Sequence, residues 1–233
     1  MKIALASDLH GNWFGLDFEA ADLLIIAGDI LGQYVTNKEW NAREQLDELK
    51  QLNWYLGKFN YEQTILVAGN HDFAFQYYPD ECRKILTNAI YLEDESTQFR
   101  DVKIYGSPWQ PYGGGWAFNF PNPKANRRAS IEKPKQIWKS IPKDTELLIT
   151  HTPPLYCMDK TYDGREIGCQ YLAEELPRLT NLKLHVFGHI HASRGHKQTG
   201  NYLSVNAANS KTHSEIAYPM TVVERSKDKY SLC

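Results

Sequence analysis

Five of the eight histidines in this chain sit in short polar motifs that interrupt or follow apolar runs. The motifs are Asp8-Leu9-His10, Gly69-Asn70-His71, Thr150-His151-Thr152 and Gly188-His189-Ile190-His191, and Gly28-Asp29 adds a further carboxylate. Carboxylate, imidazole and amide groups are the donors of an oxygen/nitrogen metal site. Each motif follows a β-rich run, over residues 2–7, 23–27, 64–68, 147–149 and 184–187. Donors delivered repeatedly to the carboxyl ends of strands stand where α/β sheets place their ligands.

The chemistry this set suits is phosphoester hydrolysis. Such a reaction needs charge stabilised on the nonbridging oxygens and a nucleophile available at neutral pH. Two divalent ions about 3.5–4 Å apart do both, by clamping the phosphoryl group and acidifying a bridging water to hydroxide. Asp29, at a strand end, is the candidate for a carboxylate shared by both ions. Asp8 and His10 lie two apart, so in continued β geometry their side chains share one face and reach one ion. His189 and His191 have the same spacing and carry the same expectation. Asn70 adds a neutral oxygen and His151 a nitrogen. His71, beside Asn70, is expected on the opposite side, touching substrate and donating to the leaving oxygen. Nearby dications would disfavour its imidazolium form. The ligand types do not choose among Mn²⁺, Fe²⁺/Fe³⁺ and Zn²⁺. Two dications, two carboxylates and a hydroxide leave about one net positive charge, which suits an anionic phosphate.

Together and in this order, the motifs D-x-H, G-D, G-N-H, a solitary H and G-H-x-H closely resemble the calcineurin-like metallophosphoesterase superfamily. The resemblance spans positions 8 to 191. It implies that Asp8, His10, Asp29 and His191 hold a first metal, that Asp29, Asn70, His151 and His189 hold a second, and that His71 is the catalytic histidine. It also implies an α/β fold: a four-layer α-β-β-α sandwich of two mixed β-sheets flanked by helices. Gly106-Ser107-Pro108-Trp109, His151-Thr152-Pro153-Pro154, Gly168-Cys169 and Val186-Phe187-Gly188-His189-Ile190-His191 resemble more narrowly the MPPED-type branch, similar to class III cyclic nucleotide phosphodiesterases. Members with a substituted G-H-x-H element are weakened, whereas both histidines stand here. One departure is Asp72, where several relatives have Glu.

The elements that must position these groups are legible in outline. After the strand ending at Ala27, Thr36-x-x-Glu39 resembles a capping box. A helix to about Gly57 follows, with Trp40, Leu46, Leu49, Leu52 and Leu56 as its apolar stripe. The next strand completes a parallel crossover unit. A short helix is expected after Pro79. Residues 102–106 read as a strand, and 107–122 read as a long loop carrying Trp109, Tyr112, three consecutive glycines and Trp116. The stretch 124–143 holds seven basic residues against Glu132 alone. It reads as a solvated amphipathic helix with Ile137, Trp138 and Ile141 facing inward, or as a basic lid over a phosphate. A helix is expected over 169–176, then strands at 184–187, 202–206 and 220–223, the last ones antiparallel. No repeat or linker divides the chain, so one domain over 1–233 is expected.

With 233 residues, 42% apolar and 12% aromatic, the chain has ample material for a core. A net charge of −2 provides no basic field to gather nucleic acid or anionic membrane. No apolar run nears the roughly 20 residues of a membrane span, and the N-terminal run stops at Asp8, too short for a signal peptide. Four cysteines without a CxxC pair fit a reduced, cytoplasmic protein.

The expected substrate is a small phosphodiester, nucleotide-like and including cyclic nucleotides, with Trp13, Phe73 and Trp109 as a stacking wall and Arg165 as a phosphate partner. Competing readings are a nuclease or repair hydrolase tracking along 124–143, and a nucleotide sensor with weak turnover. A homodimer pairing through the glycine-rich loop is a further expectation. His185, His196 and His213 fit no motif and receive no role.

Overall fold

The computed structural model describes residues 1–32, 38–213 and 215–233. The Thr36–Glu39 capping box starts outside the described residues. Among them, two six-stranded sheets stack face to face. The first has strand order β14-β13-β1-β2-β3-β4, where β1 is Lys2–Ala6, β2 Leu23–Ala27, β3 Gln63–Val67, β4 Ile90–Tyr91, β13 Thr221–Ser226 and β14 Lys229–Leu232. The second has order β5-β6-β7-β8-β10-β9, with β5 Glu95–Phe99, β6 Val102–Ser107, β7 Leu147–Thr150, β8 Leu184–Phe187, β9 Gly195–Thr199 and β10 Tyr202–Asn206. A small hairpin, β11 (Ser210–Thr212) and β12 (Glu215–Ile216), stands apart from both.

Both sheets are mixed. β1 to β4 run parallel, as do β6, β7, β8 and β10; antiparallel strands close both edges of the second sheet and the β14 edge of the first, whose other edge is the parallel β4. Central strands such as β2 and β7 are buried along their whole length. That is why they read as unbroken apolar runs rather than alternating ones. Facing side chains, including Ile25, Ile65, Val67, Ile104, Ile149 and Val186, fill the space between the sheets. Helices α1 (Lys38–Leu56), α2 (Phe73–Tyr77) and α3 (Pro79–Ile85) cover the outside of the first sheet, burying Leu49, Leu52, Leu56 and Phe75. Helices α4 (Ala129–Lys139) and α5 (Gln170–Glu175) cover the second, through Trp138, Ile141 and Leu172. The four layers are those expected.

Two expectations need correction. The antiparallel expectation for the last strands holds for β13, which pairs antiparallel with β1 and β14, but β10 is antiparallel only to β9 and runs parallel to β8. The chain leaves β8, turns out to the edge as β9, and folds back through Gly200-Asn201 into the space beside β8. The polar strands β5 and β9 escaped the sequence reading. They lie on edges where one side faces water, so no apolar pattern marks them. No helix among the described residues is long and apolar enough to cross a membrane.

Candidate metal centre

The motif residues meet where the carboxyl ends of β1, β2 and β3 face those of β7 and β8. The chain there does not continue as strand. Asp8, His10, Asp29 and His189 all have positive φ, at 57°, 46°, 49° and 68°. This region is uncommon for side chains larger than glycine and clusters at functional sites. The expectation that Asp8 and His10 share a face through continued β geometry is therefore corrected: they converge through left-handed turns. Backbone hydrogen bonds hold those turns in register, from Asp8 N to Gly28 O at 3.0 Å and from His10 N to Asp29 O at 2.9 Å. The two histidines of G-H-x-H do not share a face either. His189 meets the His151 ring edge-on, with centroids 5.0 Å apart, and His191 turns to Asp8.

Glycines make these approaches possible. A Cβ on Gly188 would collide with the Ser7 and Asp8 side chains, and one on Gly69 with the Asp29 carboxylate. Gly28 has φ +92° and lies against the His151 ring.

The donors fall into overlapping groups. His10 Nε2 and His191 Nε2 are 3.3 Å apart, and Asp8 Oδ1 is 3.2 Å from His191 Nε2. His151 Nε2 lies 3.0 Å from Asn70 Oδ1 and 3.3 Å from Asp29 Oδ2. His71 Nε2 is 3.9 Å from the same Asp29 oxygen. Donor atoms of Asp29, His151 and His189 form one compact set, those of His10, Asp29 and His71 a second, and those of His10, His191 and His213 a third. Metal–nitrogen bonds of about 2.0–2.1 Å place neighbouring donors about 3 Å apart, so the spacing fits divalent ions. His151 Nδ1 donates to Ala27 O at 2.9 Å. That bond fixes the ring and aims Nε2 inward, as metal-ligating histidines are held.

Charge reinforces the fit. Burial would raise Asp8, but His191 and His151 hold it down at about 2. Asp29, likewise buried, is held well below its ordinary value by His151 and His71. Burial would lower His151, yet the Asp29 and Asp8 carboxylates push it up to about 9. Burial pushes His10 and His189 down to about 3, leaving neutral imidazoles with a lone pair to offer. Within the protein alone, protons on His151 and His191 satisfy the carboxylates; a metal ion would take their place.

The structure brings together all eight motif side chains, all of them buried or nearly so. It does not gather the four expected substrate contacts there. Trp13 and Phe73 are buried in the core under the first sheet, so neither offers an open ring face. Trp109 stacks on Phe120, donates Nε1 to Asp94 Oδ2 at 2.8 Å and is covered by Lys133 at 3.7 Å. Arg165 is exposed and pairs with Asp163 at 2.7 Å, on the loop between β7 and α5. The aromatic at the centre is instead Trp116 of the glycine-rich loop, whose ring lies 4.4 Å from that of His71. The loop is anchored there by Ala117 N donating to Asn70 O at 3.0 Å.

The sequence reading missed His213. Carried by the β11–β12 hairpin, its ring lies 4.6 Å from His10, 5.0 Å from His71 and 5.5 Å from His191. Asn209 ties that hairpin to the end of β1 by accepting from Ser7 N at 3.0 Å. A lone histidine in a polar stretch carries no spacing signal.

Residues 1–193 match the family model described as calcineurin-like phosphoesterase. The chain belongs to that family. As a member it is a metal-dependent phosphoric ester hydrolase, of a family that uses a dinuclear divalent metal centre and acts on small phosphoesters. Metallophosphoesterase domain-containing protein 1 of Homo sapiens is 32% identical, over 96% of this chain and 70% of the relative. A UPF0046 protein of Caenorhabditis elegans is 31% identical, over 93% and 72%. Among solved structures, a dimetal phosphatase from Danio rerio shares the fold with a TM-score of 0.56 and 10% identity, covering 97% of this chain and 93% of its own.

Proposed function

We propose that this phosphoesterase hydrolyses a small, nucleotide-like phosphodiester, cyclic nucleotides included, at a centre of two divalent ions built within one domain over 1–233. The observation that carries this is that Asp29 belongs to two donor groups at once, one with His151 and His189 and one with His10 and His71. In this reading Asp8, His10, Asp29 and His191 hold one ion, and Asp29, Asn70, His151 and His189 the other. When bound, the ions would supply charge neutralisation for the phosphoryl oxygens and an acidified water as nucleophile. Mn²⁺, Fe²⁺/Fe³⁺ and Zn²⁺ all suit this mixed donor set.

The protein's own groups do the rest. Asp29 is fixed by accepting from His71 N at 2.7 Å, so the shared carboxylate and the substrate-facing histidine move as one unit. His71, lowered by burial, is kept as a neutral donor beside the leaving oxygen. Trp116 packs on its ring and limits its motion. Diester is preferred over monoester because the donor groups leave room for about one net positive charge, which one phosphodiester anion neutralises. Four free cysteines, three of them buried, support a reducing, cytoplasmic location.

The test is hydrolysis of bis-p-nitrophenyl phosphate against p-nitrophenyl phosphate with Mn²⁺, repeated after chelation and with Asn70→Ala. The expected result is diester cleavage that chelation abolishes and Asn70→Ala lowers by about 10²-fold or more, since even outer-sphere supports of metal sites cost 10–100-fold. Metal-independent cleavage, or monoester preference, would overturn the reading.

A further inference from the structure

A cavity of about 380 Å³ opens directly beside the metal-ligand candidates, lined by Tyr162, Ile167, His189, His191, Lys211 and His213 among others. Its walls are the loop between β7 and α5 and the β11–β12 hairpin. They touch where the Tyr162 hydroxyl donates to the Lys211 carbonyl at 3.4 Å. Tyr162 and Ile167 are 67% and 37% exposed and belong to none of the three core clusters. Packing therefore does not account for two large apolar side chains at the rim of a polar centre. Isolated exposed hydrophobes are ordinary, but two lining one cavity next to a reactive site are not scattered.

We propose that this cavity seats a planar, uncharged aromatic substituent of the phosphoester, with the phosphorus at its His189 and His191 end. The inference rests on the phosphoesterase reading above and adds what the ester carries. His189 and His191 line the cavity and also face the donor groups, so a substituent leaving the phosphorus on this side enters it without a gap. Tyr162 and His213 line it from the two walls, and aromatic side chains suit contact with a flat group. Among the described residues no acidic side chain lines the cavity and Lys211 is the charged one apart from the histidines, so a cationic substituent gains nothing there. The volume lies at the small end of the roughly 300–1,000 Å³ typical of small-molecule sites. It holds a ring system and excludes a folded protein segment.

Two p-nitrophenyl esters with the same leaving group test this in the full chain with Mn²⁺: p-nitrophenyl phenylphosphonate and p-nitrophenyl methylphosphonate. The unaltered protein is expected to prefer the phenyl ester in kcat/KM. Tyr162→Ala and Ile167→Ala should each lower that preference, about five- to tenfold for loss of the ring contact, and Tyr162→Phe should retain it. An absent preference, or one that both alanine variants keep, would overturn the assignment. If the unaltered protein cleaves neither ester, the hydrolytic reading fails by itself. Calorimetric binding of phenylphosphonate against methylphosphonate then decides the cavity. Tighter phenylphosphonate binding that Tyr162→Ala removes supports it, and equal affinities overturn it.

Discussion

Asp8, His10, Asp29 and His189 share an energetic burden, because each holds a side chain on left-handed backbone. That conformation costs roughly 1–2 kcal/mol per residue. Continued strand would carry these side chains on along each sheet, whereas the left-handed turns bring them to one point. Residue types and order were legible in the sequence, since D-x-H, G-D, G-N-H and G-H-x-H are short and ordered. The turn geometry was not, because φ at an aspartate or histidine is set by neighbours across the rim. His213 and Trp116 were illegible for a related reason: their place depends on where a hairpin and a glycine-rich loop fold. At this scale the His71 role makes a sharp prediction. His71→Ala should keep bound Mn²⁺ while kcat for the diester falls about 10²–10⁴-fold. Metal analysis beside kinetics checks it, and loss of metal would make His71 a ligand instead.

Between elements, Asp72 does the joining. Its carboxylate accepts from Ile30 N at 3.0 Å and Leu31 N at 2.9 Å after β2, and from Gly69 N at 2.7 Å after β3. The loops carrying Asp29 and Asn70 are thereby clamped together. Burial pushes Asp72 up to about 7, against the pull of those amides. Asp72 thus has a structural role that spacing could not reveal. Asp72→Ala strands three buried N–H groups, each costing about 1–3 kcal/mol. Urea unfolding should therefore show a loss of about 3 kcal/mol or more, with Asp72→Asn losing less. An unchanged midpoint for Asp72→Ala would contradict the clamp. The core strands and α1 were readable because their burial is simple, all-round or one-sided. The edge strands were not, because water serves as their partner on one side.

For the whole molecule, burial of neutral histidine links stability to pH. His185, in β8, is pushed down to about 3 by burial alone and meets Thr150 Oγ1 at 2.9 Å. Its unfolded value is near 6.5, so the unfolded chain takes the proton first. The stabilisation is complete above pH 6.5 and is lost as pH falls from there toward 3, at up to about 1.4 kcal/mol per pH unit. His185→Gln should flatten the fall in stability between pH 7 and pH 5 relative to the unaltered protein. Parallel curves would contradict it. The four-layer arrangement was implied by the family resemblance that the ordered motifs carry, whereas the return of β10 beside β8 depended on a turn direction no local pattern encodes. The proposed centre would join both sheets, with one ion taking donors from the ends of β1, β2 and β8 and the other from those of β2, β3, β7 and β8. The measurement to make is anomalous scattering from crystals grown with Mn²⁺. Two peaks about 3.5–4 Å apart with the Asp29 carboxylate between them are expected; a single peak, or a pair that Asp29 does not bridge, would overturn the two-metal reading.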